Sequence, residues 1–384
     1  MALTRTRRGE SVNAELSADE WEAVAEQLGG SGGTWCGVLR GVSRAARDGV
    51  DGGCSAAKFG RRVDLRVLTD RLELLRWAAE QGCALVDDER VKRAAAEAGR
   101  LGVLQWGVRS RSWALPLDIY TWAAKKGHLA VMQWARSQGC PWSDSICAAA
   151  AGGGHLTALQ WARALGCPWD EATCEAAARR GDLAMLQWAK RQSCPWDERT
   201  CMAAAAGGHL SLLQWARETG CPWYDDRVCV CAAAGGHLEV MQWAREQGCP
   251  WDEWTCEWAA IAGRLEMLQW ARQHGCPWDE DTCEGAAHGG HLPLLQWARA
   301  QGCPWNEGTC TKAALRGHLE LLQWARGQGC PWNEGTCASA AEGGHLTILQ
   351  WAREQGCPWD VRECKRLAHE RGHAAVAEWV EGNM

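Results

Sequence analysis

The 384-residue chain carries 22 cysteines and 11 histidines. Thiolate and imidazole are the ligands of structural zinc and the makings of a nucleophile–base pair. The cysteines recur in pairs seven positions apart, as in Cys167/Cys174, Cys249/Cys256 and Cys303/Cys310, with histidines such as His291 and His318 further on. Zinc sites usually bring paired ligands about two to four residues apart, and that spacing is absent. His128, His155, His209, His237, His291, His318 and His345 share one register, but Asp182 and Arg264 hold it in two copies. A fixed ligand or base would not tolerate that exchange. A nucleophilic thiol needs surroundings unlike those of its fellows and a base beside it. Cys231, an extra thiol beside Cys229, comes nearest and reads as a substituted helix position. No phosphate-cradling loop or consistent carboxylate pair stands out. The chain is therefore expected to be no enzyme and to hold no metal or cofactor, with a thiol-rich zinc-binding protein as the alternative.

The elements that must position these residues are set by repetition. There are 27 Trp against 2 Tyr and 1 Phe, a ratio that independently chosen core positions would hardly produce. The string Gln-Trp-Ala-Arg, or a close copy, places Trp134, Trp161, Trp188, Trp215, Trp243, Trp270, Trp297, Trp324 and Trp351 at intervals of 27, with one interval of 28 before Trp243. Trp77 and Trp106 upstream and Trp379 downstream mark eroded copies, about twelve units in all.

Within a unit such as Gly275 to Gly302, Asp279 is a good N-cap for a first helix of about ten residues, which stops at Gly289-Gly290. A second helix opens at His291 and carries Leu292, Leu294, Leu295, Trp297 and Ala298 as one buried stripe. Gly302 closes it, and Pro304 prevents its continuation. Helices this short are not stable alone and must bury their apolar faces against the next unit. The expected fold is an all-α solenoid of about twelve stacked helix-turn-helix repeats with short connecting loops. The Pro-Trp residues, Trp142, Trp169, Trp196, Trp223, Trp251, Trp278, Trp305, Trp332 and Trp359, could form a sugar- or base-stacking platform, but their presence in every unit fits an interlocking ladder better.

The net charge is −6, with Lys and Arg scattered, so the electrostatic footprint of a nucleic-acid binder is missing. No stretch approaches the ~18 apolar residues needed to span a bilayer, and the N-terminus lacks an apolar signal region. The expectation is a protein with reduced thiols in the cytoplasm, the nucleus not excluded, binding neither nucleic acid nor membrane.

The unit Thr-Cys-x-x-Ala-Ala-x-x-Gly-His-Leu-x-x-Leu-Gln-Trp-Ala-Arg-x-x-Gly-Cys resembles the ankyrin repeat over roughly residues 70 to 384. The match is carried by positions such as Ala313, Ala314, Gly317, His318, Leu319, Gly329 and Cys330. The period is 27 rather than the usual ~33, and the missing residues come from the segment that would form the β-hairpin finger. In that register both cysteines of a unit replace small buried residues, where a thiol acts as a small hydrophobe. The resemblance implies a protein partner bound along a concave surface built from fingers and first helices, with no intrinsic chemistry. Short fingers leave more of the contact to the first helices.

Residues 1–60 are expected to form a separate helical segment before an array at 61–384. Leu16-Ser17-Ala18-Asp19-Glu20-Trp21 and the later run Val38-Leu39-Arg40-Gly41-Val42-Ser43-Arg44 resemble a degenerate F-box. That resemblance implies docking to a Skp-type adaptor of a cullin-RING ubiquitin ligase, the array then choosing the substrate. The other reading is a helical cap over the first unit.

Positions equal in all copies build the stack, and those that vary are free to recognise a partner. Three columns vary most: one before the first-helix Thr, one two residues after its Cys, and one near the helix end. Trp and Arg are the commonest interface anchors. The candidate partner-binding residues are Arg179, Arg199, Arg227, Trp254, Trp258 and Lys312.

Overall fold

The computed structural model describes residues 69, 72–80, 84–223 and 227–383. The F-box-like segment, the boundary at residue 60 and residues 224–226 of the loop that holds the one-residue insertion before Trp243 lie outside the described residues. The chain divides into two compact units, Met1–Pro168 and Trp169–Met384. Both are stretches of all-α solenoid, with no strand among the described residues.

In the first unit, helix Leu72–Glu80 and the short 3-10 turn Ala84–Asp87 precede the pairs Glu89–Glu97 with Leu101–Arg111, Ile119–Lys125 with Leu129–Ser137, and Ser145–Gly153 with Leu156–Ala164. The second unit holds eight further pairs, from Glu171–Arg180 with Leu183–Arg191 to Val361–Arg371 with Ala374–Gly382.

The pair Glu280–Gly289 and Leu292–Ala300 shows why these residues fold so. The Asp279 carboxylate accepts from the Asp281 backbone N–H at 3.1 Å, and Glu280 favours the positive helix end. Gly290, with φ +75°, reverses the chain while its N–H bonds back into the helix. Pro293 sits in the first turn of the second helix, where its missing donor costs nothing.

Thr282, Cys283, Ala286 and Ala287 of the first helix and Leu294, Leu295 and Ala298 of the second are buried. Each buried leucine contributes about 2 kcal/mol. The alanines leave room for close approach, and first helix packs on first helix along the second unit: Glu253–Ile261 on Glu280–Gly289, and that helix on Glu307–Arg316. The expected buried stripe is narrower than the sequence suggests. Leu292 and Trp297 are half-buried, because the indole leans on the loop rather than entering the core. No helix among the described residues is long and apolar enough to cross a membrane.

Candidate functional site

The repeated histidines are consumed by the frame. His291 Nε2 donates to the Ile261 carbonyl at 3.1 Å, a residue at the end of the preceding first helix. His345 does the same to Leu315 at 3.1 Å and His373 to Glu342 at 3.0 Å. The bond runs to the neighbouring repeat, because the ring points back over that repeat's terminal glycine. A Cβ on Gly263 would lie 2.5 Å from His291 Cε1.

The thiols are consumed too. Cys303 Sγ donates to the Asp279 carbonyl at 3.4 Å, and Cys276, Cys330 and Cys357 make the equivalent 3.4 Å contacts to Asp252, Asn306 and Asn333. The antiparallel helices bring together Cys283 and Cys303, not the pair seven positions apart. Hydrogen bonding with Cys303 and burial push the Cys283 thiol well above its ordinary range, and the bond to Cys330 with burial does the same to Cys310. Such thiols stay protonated and inert. Among the described residues no three of His, Cys, Asp and Glu gather as a metal site.

On the second-helix side, Arg299 reaches its own helix end, donating to the Cys303 carbonyl while its guanidinium lies 4.0 Å from the Trp305 ring. Trp305 meets Trp324 of the following second helix edge to face, at 6.1 Å and 66°. Lys190 repeats the arrangement with Cys194 at 3.0 Å and Trp196 at 4.0 Å. The loop indoles from Trp196 to Trp359 are each engaged by a cation and by one second-helix indole, so the expected ladder is a row of such indole pairs. A shallow cavity of about 470 Å³ lined by Gln269, Arg272, Trp278 and Trp297 is what the row leaves open. Equivalent cavities recur around Trp196 and around Trp251.

The surface unused by the frame is the outer stripe of the first helices, at positions i, i+3, i+4 and i+7. In Glu253–Ile261 it reads Trp254, Glu257, Trp258 and Ile261. All six sequence-derived candidates fall on this stripe. Arg179 is exposed and paired with Glu175 at 2.5 Å. Arg199 is exposed and paired with Asp197 at 2.8 Å. Exposed pairs of this kind are worth about 0–1 kcal/mol and are easily exchanged for a partner. Arg227 is exposed, and Cys231, further along the same stripe, is half-buried. Trp254 and Trp258 are 51% and 42% exposed, unlike the half-buried loop indoles. Lys312 is half-buried and acts electrostatically on Glu257 and Glu284.

Those two carboxylates are functional candidates that the three columns miss. Burial first, then the charges of Asp281, Asp279 and Glu284, push Glu257 above the ordinary carboxylate range. Burial and the charge of Asp281 push Glu284 in the same direction, against its hydrogen bond to Asn306 and the pull of Lys312. A fourth column, the residue directly after the first-helix cysteine, runs Glu175, Met202, Val230, Glu257, Glu284, Thr311, Ala338 and Lys365, and its variation is the signal that finds them. The stripe thus presents indoles, carboxylates and cations side by side.

No family model matches the chain, and no curated protein is similar to it. Among solved structures, the human ASB11 ankyrin repeat domain matches at 14% identity and a TM-score of 0.34, over 41% of this chain and 83% of that one. The pentatricopeptide repeat protein PPR10, solved in complex with an 18-nt psaJ RNA element, matches at 15% identity and a TM-score of 0.39. The match takes in 96% of this chain and spans 63% of the length of PPR10.

Proposed function

We propose that the protein is a non-enzymatic interaction scaffold that holds a protein ligand on the outer stripe of its first helices. One observation carries this reading. The recurring histidines, cysteines and second-helix cations are occupied by bonds to the protein itself, whereas residues on the stripe differ from repeat to repeat and include two exposed tryptophans. A surface built that way discriminates by side-chain identity along a rigid support.

Site-specific photo-crosslinking tests it. A crosslinking residue placed at Trp258 should give discrete protein adducts in lysate of the source cells, identified by mass spectrometry, while one placed at Gln301 on the second-helix side should not. Equal adducts from both sides, or nucleic acid in place of protein, would refute the reading. The narrower proposal, a substrate receptor docked to a Skp-type adaptor, rests on the F-box resemblance of the N-terminal sequence. It predicts co-purification with that adaptor, lost on deleting residues 1–60.

A further inference from the structure

We infer that Trp254, Trp258, Glu257 and Asp281 form a receptor for the guanidinium of an arginine carried by the protein ligand, with Glu284 adding negative charge from behind. The inference deepens the proposed scaffold function and rests on it.

Trp254 and Trp258 stand one turn apart on helix Glu253–Ile261, so their Cβ atoms are about 5–6 Å apart on one face. Both are exposed, at 51% and 42%, whereas loop indoles such as Trp305 are engaged by a cation and a second indole. The position equivalent to Trp258 on the next first helix is Gly285. Its backbone lies so close to Glu257 that a Cβ there would sit 2.9 Å from the Glu257 carbonyl and 3.0 Å from Ile261 Cγ1. No side chain rises from that position to cover the indole.

The chemistry around the pair selects its occupant. Glu257 lies between the tryptophans on the stripe, and Asp281 occupies the facing stripe of Glu280–Gly289, while the Glu284 carboxylate is turned onward over Gly308 of the following first helix. Glu257 and Glu284 are half-buried, and with Asp279 and Asp281 they repel one another. Lys312 is the cation acting on both glutamates, so one positive charge stands against a surplus of negative ones. An aliphatic side chain docked on the indoles would desolvate these carboxylates further without answering their charge. An anion would be repelled. A cation gains on both counts, from the carboxylates and from the indole faces. Between the two cationic side chains, the planar guanidinium both stacks on an aromatic ring and forks onto a carboxylate.

The test uses the full chain and a fluorescein-labelled twelve-residue peptide of alternating arginine and glycine, followed by fluorescence anisotropy at physiological salt. Saturable binding is expected, weakened at least tenfold by W254A/W258A and by E257Q/E284Q, and abolished when the arginines are replaced by citrulline. Loss of affinity in E257Q/E284Q should accompany unchanged or higher thermal stability, which separates recognition from folding. E307Q/E334Q, which neutralises exposed carboxylates elsewhere on the first helices, should bind normally. Absence of saturable binding, full binding by W254A/W258A, or equal weakening by E307Q/E334Q would overturn the inference. A protein ligand crosslinked at Trp258 yet indifferent to E257Q/E284Q would overturn it while leaving the scaffold function standing.

Discussion

Gly263→Ala is the sharpest probe of how neighbouring repeats are joined. Gly263 has φ +69°, a conformation in which a Cβ costs about 1–2 kcal/mol. The new methyl would also lie 2.5 Å from His291 Cε1 and 2.7 Å from Nδ1, so the ring must leave. Its 3.1 Å bond to the Ile261 carbonyl goes with it, a further loss of about 0.5–1.5 kcal/mol. Together the expected cost is about 2–3 kcal/mol. Gly275→Ala supplies the control, because Gly275 has φ +82° while nothing lies within 4 Å of an added Cβ. It should cost only the backbone part.

Urea unfolding of the full chain by far-UV circular dichroism, fitted with nearest-neighbour coupling between repeats, measures the difference. Combining G263A with H291A adds a second check. The histidine contact can be lost only once, so the double variant should fall short of the summed single losses by about 1 kcal/mol. If G263A costs no more than G275A, or if G263A and H291A add within ~0.5 kcal/mol, the histidine is not what fastens one repeat to the next.

Three more changes test the remaining parts of the frame and the site. Arg299→Ala should cost about 1–2 kcal/mol in thermal or urea unfolding, for the lost cap on Cys303 and the lost cation over Trp305, whereas Arg299→Lys should cost under about 0.5 kcal/mol, since Lys190 fills the same role. Thr282→Val should stabilise by about 1 kcal/mol, because the Thr282 hydroxyl is buried without a hydrogen-bond partner. E257Q/E284Q should raise the melting temperature at neutral pH. Both carboxyls have folded-state values above the ordinary 4.5, so the folded chain takes up protons more readily than the unfolded one. The stability this brings is full in acid and is lost as pH rises through the raised values. The advantage of the glutamine variant should therefore shrink as pH falls below the ordinary glutamate range, and a pH-independent difference would contradict the assignment.

The helix boundaries were legible because each is written in a local signal. Asp279 caps, Gly290 turns and Pro304 stops, and all three act within a few residues of where they stand. The candidate stripe was legible for a related reason: comparing copies within one chain separates what the stack needs from what it leaves free. The joints were not legible. His291 bonds Ile261, and Cys303 meets Cys283 and the Asp279 carbonyl; these partners lie 20 to 30 residues away, a separation that no motif spacing encodes. The half-burial of Trp297 and the raised carboxyls of Glu257 and Glu284 likewise follow from how one helix lies on the next.

The two exceptions in the histidine register show what that position requires. Arg264 places its side chain over Gly236, where a Cβ would collide with the guanidinium, so it fills the space above the glycine as an imidazole does. Asp182 instead caps its own helix, accepting from the Met185 N–H at 2.9 Å. Three side chains of unlike acidity serve one register, which leaves shape and a local hydrogen bond as its purpose and no proton chemistry. The same holds for the cation over each loop indole, where Lys190 replaces arginine without changing the contacts. Residues most suggestive of catalysis are thus bound into the frame by their own repetition, and the positions the frame ignores are those where the copies differ. Trp254 and Trp258 stand where other copies carry Arg227, Asp281, Cys231 or Gly285, so their exposure is a property of one repeat and not of the array.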